Sequence, residues 1–212
     1  MLKVKICGLR DPQNIEEIAS LVPDFMGFIF YERSPRYVGL KLNTVQLQHF
    51  DSRIKKVGVF VNQTVEFILD KKDAYFLDAV QLHGEESPDL CRELCARVPG
   101  LPLIKAFGIR TGFDFNQTAA YEPFCTWFLF DTASFELGGS GVPFDWSLLS
   151  GYRGHNPFLV GGGLGRDNVR GLLAAMRGHD KFVGVDINSK VEVRPGLKSI
   201  SLVKDVLAEV RK

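Results

Sequence analysis

The sequence predicts an α/β fold, a single-domain (β/α)8 TIM barrel covering residues 1–212. Three observations carry this. Short β-rich runs alternate with longer amphipathic runs eight times. The β-rich runs are almost continuously apolar, as strands buried on both faces must be. Each intervening segment is long enough for a parallel crossover, and no Pro/Gly/Ser linker, low-complexity tract or strong repeat divides the 212 residues. An open doubly wound sheet shares much of this pattern, and the count of eight units favours the closed barrel.

Taken in order, the first strand covers residues 4–7 and ends on Cys7, with a helix expected over 14–20. The second, 25–30, runs into Tyr31-Glu32-Arg33-Ser34-Pro35-Arg36 before a helix at 44–50. The third, 56–61, reaches Asn62 and precedes a helix at 65–71. The fourth, 79–82, brings Gln81, His83 and Glu85 ahead of a helix at 88–98. The fifth, 103–107, carries Lys105; the segment 111–122 behind it has the weakest helical pattern and is expected to be short or irregular. The sixth, 127–130, stops before Asp131, with a helix expected at 144–150. The seventh, 158–160, ends on Gly161-Gly162-Gly163, which opens into a helix at 167–176. The eighth, 182–187, carries Asp186, followed by Asn188, Ser189, a further loop and a last helix at 200–211.

Composition narrows the class of partner. With 45% hydrophobic and 24% charged residues the chain is an ordinary soluble globular protein. Net charge is +1 and the basic residues are dispersed, so neither a nucleic-acid footprint nor a membrane-binding stripe is expected, and the partner is a small molecule. No apolar run approaches the ~20 residues of a membrane span, and the N-terminus lacks signal-peptide features, which gives a cytoplasmic expectation. Cys7, Cys91, Cys95 and Cys125 are read as thiols in a reducing compartment. Cys91 and Cys95, four apart on a helix, are read as packing because nothing nearby completes a metal site. Cys125 has no visible partner, and His49, His155 and His179 carry no motif.

In a barrel of this kind, chemistry sits at the carboxyl ends of the strands. Read that way, Cys7, Arg36, Asn62, Gln81, His83, Glu85, Lys105, Asp131, Asp186, Asn188 and Ser189 are the strand-end groups expected to carry the chemistry. The glycines at 161–163 and the segment Asn188-Ser189 offer backbone N–H groups to an anion after strands seven and eight, a phosphate cradle to which Gly138-Gly139-Ser140-Gly141 could add a third wall. Each residue also has a plain reading. Cys7 alone is a small buried hydrophobe, Asp131 a cap, Arg36 an ion-pair partner, and the glycines a tight turn.

The motifs, taken together, change that balance. They are Val4-Lys5-Ile6-Cys7-Gly8; Gly27-Phe28 with Ser34-Pro35-Arg36-Tyr37-Val38; Val57-Gly58-Val59-Phe60-Val61-Asn62; and Val80-Gln81-Leu82-His83-Gly84. After them come Asp131-Thr132 with the 138–141 glycines and Phe144-Asp145-Trp146; Gly162-Gly163-Leu164 with Asn168-Val169; Gly184-Val185-Asp186; and Val191-Glu192 with Pro195-Gly196. In this order, over nearly the whole chain, the sequence resembles the phosphoribosylanthranilate isomerase family, single-domain barrels of tryptophan biosynthesis. One departure stands out: where the family often has Ser-Ser-Gly after the eighth-strand aspartate, this chain has Asn188-Ser189-Lys190.

The resemblance implies an aldose–ketose isomerase. It would convert N-(5-phosphoribosyl)anthranilate into 1-(2-carboxyphenylamino)-1-deoxyribulose 5-phosphate, with Cys7 as general base and Asp131 as general acid. Asp131 should then have a raised pKa, and the Cys7 thiol a lowered one. Arg36 is expected on the anthranilate carboxylate, since a guanidinium pairs with it through two parallel hydrogen bonds. The phosphate is expected on the backbone N–H groups of Gly162, Gly163 and the segment from Asn188 to Lys190, with Ser189 as a hydroxyl donor and the Lys190 side chain crowding or contacting it. Asp186 and His83 join the substrate-binding set, although the particular tasks of His83 and Gln81 stay open. No metal or cofactor is expected, the chain is read as monofunctional, and it would act as a monomer or homodimer. Two other readings of the same barrel remain: a different phosphate-binding enzyme, such as the histidine-pathway aldose isomerase or indole-glycerol-phosphate synthase, or a barrel that only binds phosphosugars.

Overall fold

All eight apolar runs form strands. The computed structural model describes residues 1–39, 42, 44–133 and 143–212. In it β1 (Lys3–Ile6), β2 (Phe25–Ile29), β3 (Lys55–Phe60), β4 (Ala79–Leu82), β5 (Leu103–Ile109), β6 (Trp127–Thr132), β7 (Phe158–Val160) and β8 (Phe182–Ile187) pair in chain order, all parallel. β8 then pairs with β1 through Lys3↔Gly184, Val4↔Val185, Lys5↔Asp186 and Ile6↔Ile187. That seam closes the barrel and rules out the open sheet.

The two-residue period of a strand sorts the side chains into two cores. Inward, Phe25, Val57, Ala79, Ile104, Leu129 and Leu159 pack on one another and plug the barrel toward the amino ends of the strands. Outward, residues such as Val4, Ile6, Phe28, Phe60, Leu82, Phe130 and Ile187 pack under the surrounding helices. The carboxyl-terminal mouth is left open, and the inward polar residues Lys5, Gln81, Asp131 and Asp186 lie there.

The helices are α1 (Pro12–Ala19), α2 (Thr44–Gln48), α3 (Val65–Ala74), α4 (Pro88–Arg97), α5 (Val169–Ala175) and α6 (Ile200–Val210). Four start on a side-chain cap: Asp11, Thr64, Ser87 and Ser199 accept from the N–H groups of Asn14, Phe67, Leu90 and Leu202. The segment after β5 is a 3-10 helix, Phe115–Tyr121, the irregular element expected there. After β6 the expected α-helix is also replaced, by the 3-10 helix Trp146–Gly151. Aromatic packing accounts for this. Tyr152 must leave the helix in an extended conformation to bring its ring 5.1 Å from Phe130 and 5.4 Å from Phe158, and Phe115 packs 5.5 Å from Phe130. Large rings fill the volume that a longer helix would cover.

A second difference follows β8. The expected loop contains a small antiparallel ribbon, β9 (Glu192–Arg194) with β10 (Leu197–Lys198), turned by Pro195-Gly196. Gly196, at φ +83°, fits the third position of a type II turn. The alternation Val191-Glu192-Val193-Arg194 ahead of Pro-Gly was the signal in the sequence.

The seam between first and last strands is tight. A methyl group on Gly184 would overlap the backbone carbonyl of Lys3. Gly184→Ala should therefore cost about 1–3 kcal/mol, the usual range for overpacking, read as a lowered urea midpoint. An unchanged midpoint would show that the seam can open to admit a methyl group.

Candidate active site

At the open mouth lies a cleft lined by residues from the ends of the strands and from the loops that follow them. Its floor is set by β1. Lys5 and Cys7 are two residues apart, so both point inward, and a glycine at 27 in β2 leaves the space they occupy: a methyl there would meet the Cys7 Sγ at 2.9 Å and the Lys5 Nζ at 3.2 Å.

Lys5 is wholly buried and donates to both carboxylate oxygens of Asp186, at 3.1 and 3.0 Å, across the β1–β8 seam. Burial opposes its charge, but attraction to Asp186 and Cys7 outweighs burial and holds the ammonium above its ordinary value. Asp186 is pushed up by burial, with Lys5 working against that. Cys7 does not meet the expectation of a lowered pKa: burial raises its thiol above the ordinary range, and Lys5, the main opposing influence, only partly offsets it.

Asp131, at the end of β6, faces the same cleft. Its Oδ1 accepts the Thr132 N–H at 2.7 Å. Burial nonetheless raises its carboxyl to about 6, against the pull of that N–H and of Lys5, as expected for an acid that must hold a proton. Beside it, the Nε2 of His83 lies 3.8 Å from the Asp131 Oδ2. Burial, helped by repulsion from Lys5, brings His83 down to about 4, so the ring is neutral at pH 7. As the Gln81 amide is oriented, its Nε2 donates to the His83 Nδ1 at 2.7 Å, which leaves the ring proton on Nε2, facing Asp131.

Across the cleft, the loop after β2 turns Arg36 inward, its own N–H donating to the Ser34 Oγ at 3.1 Å. Gly8, at φ +76°, allows this: a methyl there would meet the Arg36 Cδ at 2.6 Å and the Asn188 Oδ1 at 2.7 Å. Gly162 and Gly163, both at positive φ, shape the loop after β7. Asn168 braces that loop, donating to the Gly163 carbonyl and accepting from the Gly165 N–H, both at 2.9 Å.

The structure brings Cys7, Arg36, His83, Asp131, Gly162, Gly163, Asp186, Asn188 and Ser189 to this one cleft. Other strand-end residues lie elsewhere. Lys105 points outward by the strand period, into the helix shell, where it donates to the Gly84 carbonyl at 2.7 Å and pairs with Glu86. Asn62 and Glu85 bond to each other outside the cleft, the Glu85 N–H donating to the Asn62 Oδ1 at 2.7 Å. Lys190 is exposed, its Cβ close against Gly165, and its side chain is not part of the cleft wall. The glycines at 138–141, expected as a third wall, lie outside the described residues. Sequence reasoning missed Lys5, Glu192 and Lys198. Lys5 was legible from its two-residue spacing to Cys7; Glu192 and Lys198 depend on the unforeseen ribbon.

Comparison with known proteins identifies the family and the fold. The family model described as N-(5'phosphoribosyl)anthranilate (PRA) isomerase matches residues 4–209. A relative from Parabacteroides distasonis, named N-(5'-phosphoribosyl)anthranilate isomerase, is 46% identical over 210 residues, covering 98% of this chain and 92% of the relative. Among solved structures, phosphoribosyl anthranilate isomerase from Thermotoga maritima superposes with a TM-score of 0.85 at 34% identity, covering 100% of this chain and 99% of that one. Another, solved in complex with reduced 1-(o-carboxyphenylamino)-1-deoxyribulose 5-phosphate, gives 0.80 at 31% identity, with 100% and 99% covered. A match of fold and sequence that runs almost from end to end leaves one assignment, and the chain belongs to the N-(5'-phosphoribosyl)anthranilate isomerase family.

Proposed function

We propose that this chain rearranges N-(5-phosphoribosyl)anthranilate into 1-(2-carboxyphenylamino)-1-deoxyribulose 5-phosphate, with Asp131 as acid and Cys7 as base, and that no cofactor takes part. The observation that supports this best is the pairing of a carboxyl raised to about 6 with a thiol beside a fixed ammonium, both facing one cleft. Residues 1–212 are read as one domain acting in the cytoplasm as a monomer or homodimer, on a small molecule and not on nucleic acid. Among the described residues no helix is long and apolar enough to cross a membrane.

The chemistry follows from where the protons must go. Asp131 donates its proton to the ring oxygen of the furanose as the bond from C1 to that oxygen breaks, and the anthranilate nitrogen becomes an iminium. That cation acidifies the C2–H bond. Cys7, as thiolate, takes the C2 proton to give an enolamine; C1 then gains a proton and the C2 hydroxyl loses one, which leaves the ketone. Burial keeps the proton on the thiol, and Lys5 is the group that favours the thiolate; the iminium adds a second positive charge when it forms. Asp186 keeps Lys5 in place, and neutral His83 presents an N–H to Asp131 and to the sugar. Arg36 holds the anthranilate carboxylate. Gly162, Gly163 and the segment from Asn188 to Ser189 hold the phosphate.

Cys7→Ala and Asp131→Asn should each lower kcat/KM by about 10²- to 10⁴-fold, followed by absorbance or fluorescence of the anthranilate ring. Wild-type turnover in both variants would overturn the assignment.

The pH profile has a defined shape, because the active form needs Asp131 protonated and Cys7 ionised. Below about 6 Asp131 is already protonated, so kcat/KM rises with the thiolate. Above that value the loss of protonated Asp131 cancels the gain in thiolate and the profile is flat, until it falls beyond the raised Cys7 value. Activity that declined from pH 6 upward would show that the base is not a thiol of raised pKa.

A further inference from the structure

Arg36 reaches the cleft already bound along one edge. Its Nε donates to the Glu192 Oε1 at 3.0 Å and Oε2 at 3.1 Å, and its Nη2 donates to Oε2 at 2.7 Å. A guanidinium has five N–H donors, and this pairing uses the edge formed by Nε and Nη2. What remains is both hydrogens of Nη1, which makes no hydrogen bond among the described residues, and the second hydrogen of Nη2. Those two nitrogens form another edge, which presents the parallel N–H pair that a carboxylate accepts.

Glu192 is itself held in place. Its Oε1 also accepts from the Lys198 Nζ at 2.7 Å and the Gly196 N–H at 3.0 Å. Burial works against its charge, but Arg36, Lys198 and that N–H together keep the carboxylate below its ordinary range. Lys198 is buried too, and its Nζ donates to the Asn188 carbonyl at 3.1 Å and the Asn188 Oδ1 at 2.7 Å as well as to Glu192. From behind, the Asn14 side chain of α1 fixes the Lys198 backbone, accepting its N–H at 2.7 Å and donating to its carbonyl at 2.9 Å. Arg36 and Lys198 against Glu192 leave one positive charge, which matches one substrate carboxylate.

We propose that Glu192, backed by Lys198, is a positioning residue: it fixes the orientation of Arg36 so that the free guanidinium edge meets the substrate's anthranilate carboxylate. The inference rests on the reading of Arg36 given above. Glu192 touches no reacting atom, so its loss weakens substrate binding and leaves the proton transfers alone. The same ribbon carries Lys198, whose Nζ holds Asn188 of the phosphate loop through bonds of its own that do not pass through Glu192.

The test is steady-state kinetics on wild type, Arg36→Met, Glu192→Gln and the double variant, with thermal melting of each. Inhibition by ribose 5-phosphate, which carries the phosphate but no carboxylate, is measured alongside. Glu192→Gln should raise KM for phosphoribosylanthranilate about 10-fold or more, the scale of a lost charge-assisted hydrogen bond, with kcat largely unchanged. Ribose 5-phosphate should inhibit as in wild type, and Glu192→Gln should add nothing in the Arg36→Met background. A wild-type KM in Arg36→Met would remove the anchor reading and the inference together. If Arg36→Met raises KM but Glu192→Gln does not, or adds its full effect to Arg36→Met, or weakens ribose 5-phosphate inhibition in parallel, the positioning role is overturned while the anchor stands. Should Glu192→Gln fail to fold, Glu192→Asp, with the charge kept and the reach one methylene shorter, should raise KM in the same way, and a wild-type KM there overturns the role.

Discussion

One fully buried ammonium sets the electrostatics of this cleft. Lys5 has no solvent to hold its charge; Asp186 does so instead, from the strand that closes the barrel, with two hydrogen bonds near 3 Å. Removing either partner would strand the other charge in the interior, a loss on the order of 3–5 kcal/mol. The same ammonium favours the Cys7 thiolate, helps to keep His83 neutral and pulls against the raised carboxyl of Asp131. Because Lys5 and Asp186 are register partners across the β1–β8 seam, this arrangement exists only once the first and last strands have met. Closing the barrel and setting this buried charge pair are one event.

The cleft also illustrates how an acid and a base can be kept apart in a small volume. Burial alone raises both the thiol and the carboxyl, which suits the acid and hinders the base. A fixed cation placed next to the thiol corrects that imbalance only in part, and in the proposed mechanism the remaining correction falls to the iminium formed during turnover. In the proposed mechanism two grips fix the substrate's ends around this pair, one through Arg36, which Glu192 of the ribbon holds, and one through backbone N–H groups.

Much of this was legible in the sequence. Each strand was visible because parallel barrel strands are apolar on both faces, and the strand-end residues that line the cleft followed from knowing where such barrels carry chemistry. Lys105 was misread because its strand runs two residues beyond Phe107, and only the register shows that it faces the shell while Ala106 faces in. Trp146–Gly151 lost its α-helix to ring packing, which no local pattern encodes. The ribbon at Glu192 and Lys198 had a Pro-Gly turn signal, but its partners, Arg36 and Asn14, lie more than 150 residues away. The protonation of Cys7 was the least legible, since it depends on how far burial outweighs Lys5.

The central claim is that Cys7 removes the proton from C2 of the opened sugar. Substrate carrying deuterium at C2 tests this most directly, with release of the label followed by NMR in wild type and in Cys7→Ala under single-turnover conditions. The account predicts a primary isotope effect on label release in wild type and no release above background in Cys7→Ala, although Asp131 is intact. Release of the C2 label from Cys7→Ala at the wild-type rate would contradict it.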